Sequence, residues 1–336
     1  MLILGIETSC DETCAAVLRD GRVLSSVVSS QLVHGAYGGV VPELASRAHQ
    51  QTLSGIVGEA LRSAGVRKED LSGIAATRGP GLVGALLVGL TFGKAMAWGL
   101  GIPFAGVNHM EGHLYSGFLE GEQPEYPFLT LIVSGGHTML VLSSEPLGHR
   151  VLGSTRDDAA GEAFDKVAKM LGLGYPGGPA IDRRARGGNQ AAIPFPRARL
   201  EGDTLDFSFS GVKTSVLYYL RKREGGKTPP GEVLPLSDIC ASFQEAVVDV
   251  LEEKTFDAAR RSGVKRIGVA GGVAANSRLR ERFMKRAEGE HLRVAFPPLS
   301  YCMDNAAMIA YVGWMRLSRG MASGLDTPAA AALEPA

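Results

Sequence analysis

The chain has 336 residues, with 35 Lys and Arg against 35 Asp and Glu, so its formal net charge is zero. At 45% hydrophobic and 21% charged residues it is not a disordered chain, which needs low hydrophobicity and high net charge. Nor is it drawn as a whole to nucleic acid or to an anionic membrane, although local patches can be. The length predicts roughly two domains, and 44 glycines, about 13% against a usual ~7%, follow no collagen period.

Residues 1–7 lack a basic stretch and meet an acid at Glu7, which predicts a strand rather than a signal peptide. Leu2–Thr13, running into Cys14–Leu18, reads as a strand, a small polar turn and a second strand: a hairpin with Thr8, Ser9, Cys10 and Asp11 at its tip. Helical periodicity follows in Leu44–Leu61. The apolar tract Gly81–Val107 is interrupted by Lys94, glycine and proline, and predicts a helix buried between layers, then a strand, rather than a membrane span.

The second half opens as the first does. Phe128–Val133, a Ser134-Gly135-Gly136-His137 tip and Thr138–Leu142 form another predicted hairpin. Helical periods cover Ala159–Leu171 and Ile239–Arg260, with loops expected at Arg183–Phe207 and Glu224–Pro235. Val264–Asn276 reads as a strand ending in the pair Gly271-Gly272, followed by a helix over Arg278–Arg286. The expected architecture is α/β, with two related lobes around a nucleotide cleft. The lobes are placed at residues 1–125 plus a helix at 305–322, and at 126–304, with 323–336 a disordered tail. Four scattered cysteines, at 10, 14, 240 and 302, are expected to be reduced thiols in a cytoplasmic protein.

Two features carry chemistry. Glycine turns let backbone amides converge on an anion, and three turns fit: Thr8–Asp11, Ser134–Thr138 and Gly271–Ala274. No Walker A run or Gly-x-Gly-x-x-Gly follows the first strand, which disfavours P-loop and Rossmann binding. His109 and His113, four residues apart, lie about 40° from one another on a helix at 100° per residue. That is metal-site spacing, and it is equally the spacing of two ordinary helix histidines. Glu111 points away from both, so it cannot be the base of a zinc protease. A third ligand is expected to be a carboxylate from the other lobe; Asp304 is the best candidate, with an N-cap role as its alternative.

In order along residues 2–320 stand Gly5–Thr13, Val41–Arg47, Gly79–Leu82, the histidine pair, Val133–Thr138, Gly161–Lys166, Tyr175–Pro179, Gly271–Asn276 and Asp304-Asn305. This series resembles the tRNA threonylcarbamoyladenosine transferases, in their bacterial form the TsaD family. The resemblance implies the actin/Hsp70/sugar-kinase (ASKHA) fold. It implies transfer of a threonylcarbamoyl group from threonylcarbamoyl-AMP to N6 of adenosine 37 in tRNAs reading codons that begin with A. It further implies that His109, His113 and Asp304 hold one divalent metal, iron in the family's usual description with zinc as the alternative. Ser134, Gly135, Gly136, His137 and Thr138 would line the acyl-adenylate phosphate, with Val133 beside them in the substrate site. Asp165, Gly178 and Asn276 would hold the nucleoside, with Asp182 on its ribose. The implied partners are tRNA, a TsaB-type paralogue in a heterodimer, a TsaE-type ATPase and an upstream threonylcarbamoyl-AMP synthase.

Asp11 or Glu12, at the first hairpin tip, is the expected base for the N6 proton, with turn stabilisation as the alternative. Arg183, Arg184, Arg186, Arg197 and Arg199, with Arg221, Lys222 and Arg223, are expected phosphate contacts, or else a solvated surface. Leu44–Leu61 is a candidate partner-facing helix. The competing functions are a small-molecule kinase of the same fold, which needs no two-histidine site, a non-catalytic nucleotide-binding regulator, and, third, a metalloprotease.

Overall fold

The computed structural model describes residues 1–31, 40–120, 123–198, 200–224 and 234–335. Arg199 and most of the loop expected at Glu224–Pro235 lie outside them. The chain divides into two units, the first comprising residues 1–126, 144–149 and 297–336 and the second 127–143 and 150–296.

In the first unit, β1 (Leu2–Glu7), β2 (Glu12–Arg19), β3 (Arg22–Ser30), β4 (Gly73–Gly79) and β5 (Phe104–Asn108) form one sheet in the order β3-β2-β1-β4-β5. β1 pairs antiparallel with β2 as the predicted hairpin, Glu7 opposite Cys14, and parallel with β4. Helices α1 (Pro42–Ala64) and α2 (Val83–Leu100) cover one face. There Leu53, Val57 and Leu90 join Leu4, Ile6, Ile74 and Ala76, alternate strand residues that share a face, in one buried cluster. Helix α3 (His109–Tyr115) follows β5 directly, and α9 (Ala306–Leu317) packs on the sheet at Gly5. A Cβ at Gly5 would lie 2.7 Å from the Cβ of Ala310, so only glycine allows that approach.

The second unit repeats the pattern. β6 (Phe128–Val133), β7 (Thr138–Glu145), β8 (Gly148–Ser154), β9 (Arg266–Ala270) and β10 (Arg293–Ala295) run β10-β9-β6-β7-β8, again with an antiparallel hairpin beside parallel pairs. Its helices are α4 (Ala160–Met170), α5 (Gly177–Ala185), α6 (Ser210–Glu224), α7 (Leu236–Ser262) and α8 (Ser277–Glu290). Phe164 on α4 meets Phe243 on α7 at 5.2 Å between ring centroids, edge to face, and Phe256 meets Phe283 likewise at 5.4 Å.

Three expectations differ from what the structure shows. Asp304 falls in the same unit as the histidines rather than in the other lobe. The tract opening at Gly81 forms α2, long and apolar enough to cross a membrane by length and composition. Only one face of it is buried, on the sheet, and Val83, Leu87 and Trp98 are exposed. Residues 323–335, expected to be a frayed tail, hydrogen-bond back onto the first unit. Ser323 N donates to Phe104 O at 2.7 Å and Ala330 N to Arg78 O at 2.8 Å.

Candidate functional site

Helix α3 starts where β5 ends because Asn108 caps it, its Oδ1 accepting from Met110 N at 2.8 Å. The helical turn then brings both imidazoles to one side, with ring centroids 4.7 Å apart. Asp304 Oδ1 lies 3.1 Å from His113 Nε2 and 3.4 Å from His109 Nε2. One ligand atom from each of the three residues falls within 4.8 Å of the others. His113 is fully buried and His109 nearly so, whereas the Asp304 side chain is 23% exposed. The N-cap of α9 is Asn305, not Asp304: Asn305 Oδ1 accepts from Met308 N at 3.0 Å, which leaves the Asp304 carboxylate to the histidines.

Glu7, at the end of β1 and not among the expected site residues, stands behind this cluster. Its Oε2 lies 2.8 Å from His109 Nδ1 and accepts from Thr77 Oγ1 at 2.7 Å. A carboxylate on Nδ1 fixes the tautomer and leaves Nε2 free to ligate. Burial opposes ionisation of Glu7 and of Asp304, but His109 more than offsets it, and for Asp304 His113 adds to this, so both carboxyls lie below their usual range. Burial likewise opposes charge on His109, yet Asp304 and Glu7 raise it well above the ordinary histidine value. Carboxylates so concentrated, with two converging imidazole nitrogens, fit a divalent cation: two nitrogens and one oxygen are the donors of the two-His, one-carboxylate class.

At the β1–β2 tip, burial pushes Glu12 up to about 9, with Asp304, Asp11 and Glu7 adding, so without a cation it keeps its proton at neutral pH. His49, also missed, lies at 2.8 Å from Thr13 Oγ1 through Nδ1, while its Nε2 donates to Cys10 O at 2.9 Å. It anchors the turn carrying Cys10, Asp11 and Glu12 to α1. The signal for it was a histidine on the apolar face of a periodic helix. Glu111 is held by Arg316, with contacts at 3.0 and 3.2 Å, so it is not available as a protease base. The Cys10 and Cys14 thiols are pushed up by burial and the nearby acids, and remain protonated.

In the second unit the Ser134–Thr138 turn is braced by the start of α4. Gly161 N donates to Ser134 O at 3.1 Å and Ala160 N to Thr138 Oγ1 at 2.9 Å. A Cβ at Gly135 or Gly136 would meet nothing within 4 Å, so their outer side is open. Gly271, at φ +92°, brings the Gly271-Gly272 turn against the end of β6, where a Cβ would lie 2.5 Å from Val133 O. Asp165 accepts from Gly177 N at 2.7 Å, and burial raises its carboxyl although the Gly177 and Gly178 amides pull the other way. Asp182 accepts from Ser277 Oγ at 2.7 Å. Asn276 caps α8 through Leu279 N at 3.0 Å and donates to Gln244 at 2.8 Å. Asp165 and Asp182 are thus tied to the N-termini of α5 and α8. Of the expected phosphate contacts, Arg197 is paired with Asp249 at 2.7 Å, while Arg183, Arg184, Arg186, Arg221 and Lys222 are exposed.

Residues 22–311 match the family model TsaD, tRNA N6-adenosine threonylcarbamoyltransferase. The chain belongs to the TsaD family. It is 56% identical over 324 residues to the tRNA N6-adenosine threonylcarbamoyltransferase of Salinibacter ruber, covering 96% of each chain. It is 51% identical over 330 residues to that of Kosmotoga olearia, covering 98% of this chain and 97% of the relative. TsaD relatives bear a transferase name, and this chain is a transferase. Among solved structures, nucleotide-bound full-length HypF superposes with a TM-score of 0.63 at 14% identity, over 96% of this chain and 47% of that one. The activator of 2-hydroxyisocaproyl-CoA dehydratase from Clostridium difficile gives 0.52 at 13%, over 96% and 99%. At such identities the likeness establishes the fold alone, which is α/β of the ASKHA type.

Proposed function

We propose that the chain transfers the threonylcarbamoyl group from threonylcarbamoyl-AMP to N6 of adenosine 37 in tRNAs reading codons that begin with A. The observation that carries the reading is the convergence of His109, His113 and Asp304 within 4.8 Å on a chain of this family. The reaction is acyl transfer from a mixed anhydride: the N6–carbonyl bond forms, the carbonyl–phosphate bond breaks, and AMP leaves. A divalent ion on the three ligands, Fe2+ or alternatively Zn2+, would stabilise the oxygen that gains charge. The chain's own groups do the rest. The backbone amides of Gly135 and Gly136, glycines with open space where a Cβ would stand, bind the phosphate. Asp165, Gly178 and Asn276 hold the nucleoside and Asp182 its ribose. Asp11 or Glu12 takes the proton that N6 loses after attack; Glu12 can do so only in its ionised form, which positive charge held beside Asp304 would favour.

The partners follow from the same reading. Exposed Val83, Leu87 and Trp98 on α2, 47%, 48% and 77% exposed, form an apolar stripe beside α1 suited to a TsaB-type paralogue. A TsaE-type ATPase and a threonylcarbamoyl-AMP synthase belong to the same cytoplasmic sequence of reactions. The exposed arginines on α5 and Arg221 and Lys222 on α6 are the positive charges left for tRNA phosphates. The test is reconstitution of the chain and these partners with threonine, bicarbonate, ATP and unmodified tRNA, followed by mass spectrometry of the digested nucleosides. Threonylcarbamoyladenosine appears with the wild type and not with His109→Ala. Its absence with every partner present, or its undiminished appearance with His109→Ala, contradicts the reading.

A further inference from the structure

The segment after α9 does more than cover an edge of the sheet. Ser323 pairs with the outer strand β5, its N donating to Phe104 O at 2.7 Å and its Oγ accepting from Gly106 N at 3.0 Å. Lys94 on α2 donates to Thr327 O, and Ala330 N donates to Arg78 O at 2.8 Å at the end of β4. Gly81 N then donates to Ala331 O at 3.2 Å. Last, Asn108 Nδ2 donates to Leu333 O at 3.3 Å and Glu334 O at 2.7 Å. The backbone of 323–334 therefore runs from the β5 edge past the end of β4 to the residue that begins α3.

Two connections lead from this segment to His109. Asn108 uses its Nδ2 on the segment and its Oδ1 on Met110 N, so the segment holds the cap of the seven-residue helix that carries both histidines. A helix that short has little stability of its own and depends on what fixes its ends. Gly81, held by Ala331, precedes Leu82, whose N donates to Ser9 O at 2.9 Å; Ser9 Oγ lies 3.3 Å from His109 Nδ1. We propose that residues 323–334 act as a positioning strap, fixing α3 through Asn108 and the Ser9 turn so that both Nε2 atoms converge on Asp304.

The proposal rests on the metal reading of the cluster, and the experiment keeps the two apart. Full-length wild type, Ala330→Pro, Asn108→Asp and the double variant are compared for Co2+ affinity by chelator competition, for hydrogen exchange at the amides of Met110–His113, and for melting temperature. Ala330→Pro removes the N–H given to Arg78 O. Asn108→Asp keeps the acceptor for Met110 N but loses the donor to the strap. Each single variant is expected to lose about tenfold in Co2+ affinity, as for loss of a group that orients a ligand, and to exchange faster at Met110–His113. The double variant should lose less than the product of the two, because both contacts act through the one strap. Unchanged affinity and exchange in both single variants overturn the strap, as does a fully multiplicative double variant. If the wild type takes up no Co2+ the metal reading fails, and the exchange rates then decide the strap alone: faster exchange in both variants supports it and unchanged exchange overturns it.

Discussion

Glu7 decides which nitrogen of His109 faces Asp304. Its carboxylate sits 2.8 Å from Nδ1 in a fully buried position, so the Glu7→Gln variant should weaken divalent-metal binding by about 10- to 100-fold. Chelator competition measures this, and melting should show the fold retained. Asp11 is tested kinetically. Loss of a general base typically costs about 10²- to 10⁴-fold, so a single-turnover rate for Asp11→Ala that matches the wild type would pass the role to Glu12. The histidine pair was legible because i, i+4 spacing is a local signal. Glu7 and His49 were not: each becomes functional through a partner 102 or 36 positions away, which no periodicity encodes. For the same reason Arg197 read as an RNA phosphate contact or a solvated surface residue, whereas the structure pairs it with Asp249.

Among the secondary-structure elements, the two hairpins were readable because each joins alternating apolar strands through a tip rich in small residues, and both form with the expected pairing. The apolar length of α2 was equally plain. Hydropathy does not say which side of a helix is covered, and the exposed Val83–Trp98 stripe shows only in three dimensions. The segment 323–335 was unreadable since it is held mainly through backbone groups. The close approach of α4 to the Ser134 turn is open to test. A Cβ at Gly161 would lie 2.8 Å from Gly135 Cα and closer still to Ser134 O. Gly161→Ala should therefore cost about 1–3 kcal/mol of stability, read from denaturant unfolding, and should slow transfer by displacing the turn.

For the molecule as a whole, the sheet pattern occurs twice: the first unit carries His109, His113 and Asp304, and the second carries the Ser134–Thr138 and Gly271–Ala274 turns with Asp165, Asp182 and Asn276. Stability belongs at this scale too. Burial, with Arg316 adding, pushes His149 down to about 4, whereas in the unfolded chain it titrates near about 6.5. Between those values the unfolded chain binds the extra proton, so His149's contribution is complete above about pH 6.5 and is lost as the pH falls toward 4. The difference in unfolding free energy between wild type and His149→Gln should shrink across that window, and a difference independent of pH would count against the buried neutral imidazole.

Metal-dependent transfer is tested most directly by a single-turnover reaction of preformed threonylcarbamoyl-AMP with unmodified tRNA, the chain first stripped of metal and then reloaded stepwise with Fe2+ or Zn2+. Product formation in proportion to bound metal, reaching its maximum at one ion per chain and absent in His113→Ala, is the expected result. An equal rate in the stripped and reloaded protein would contradict it.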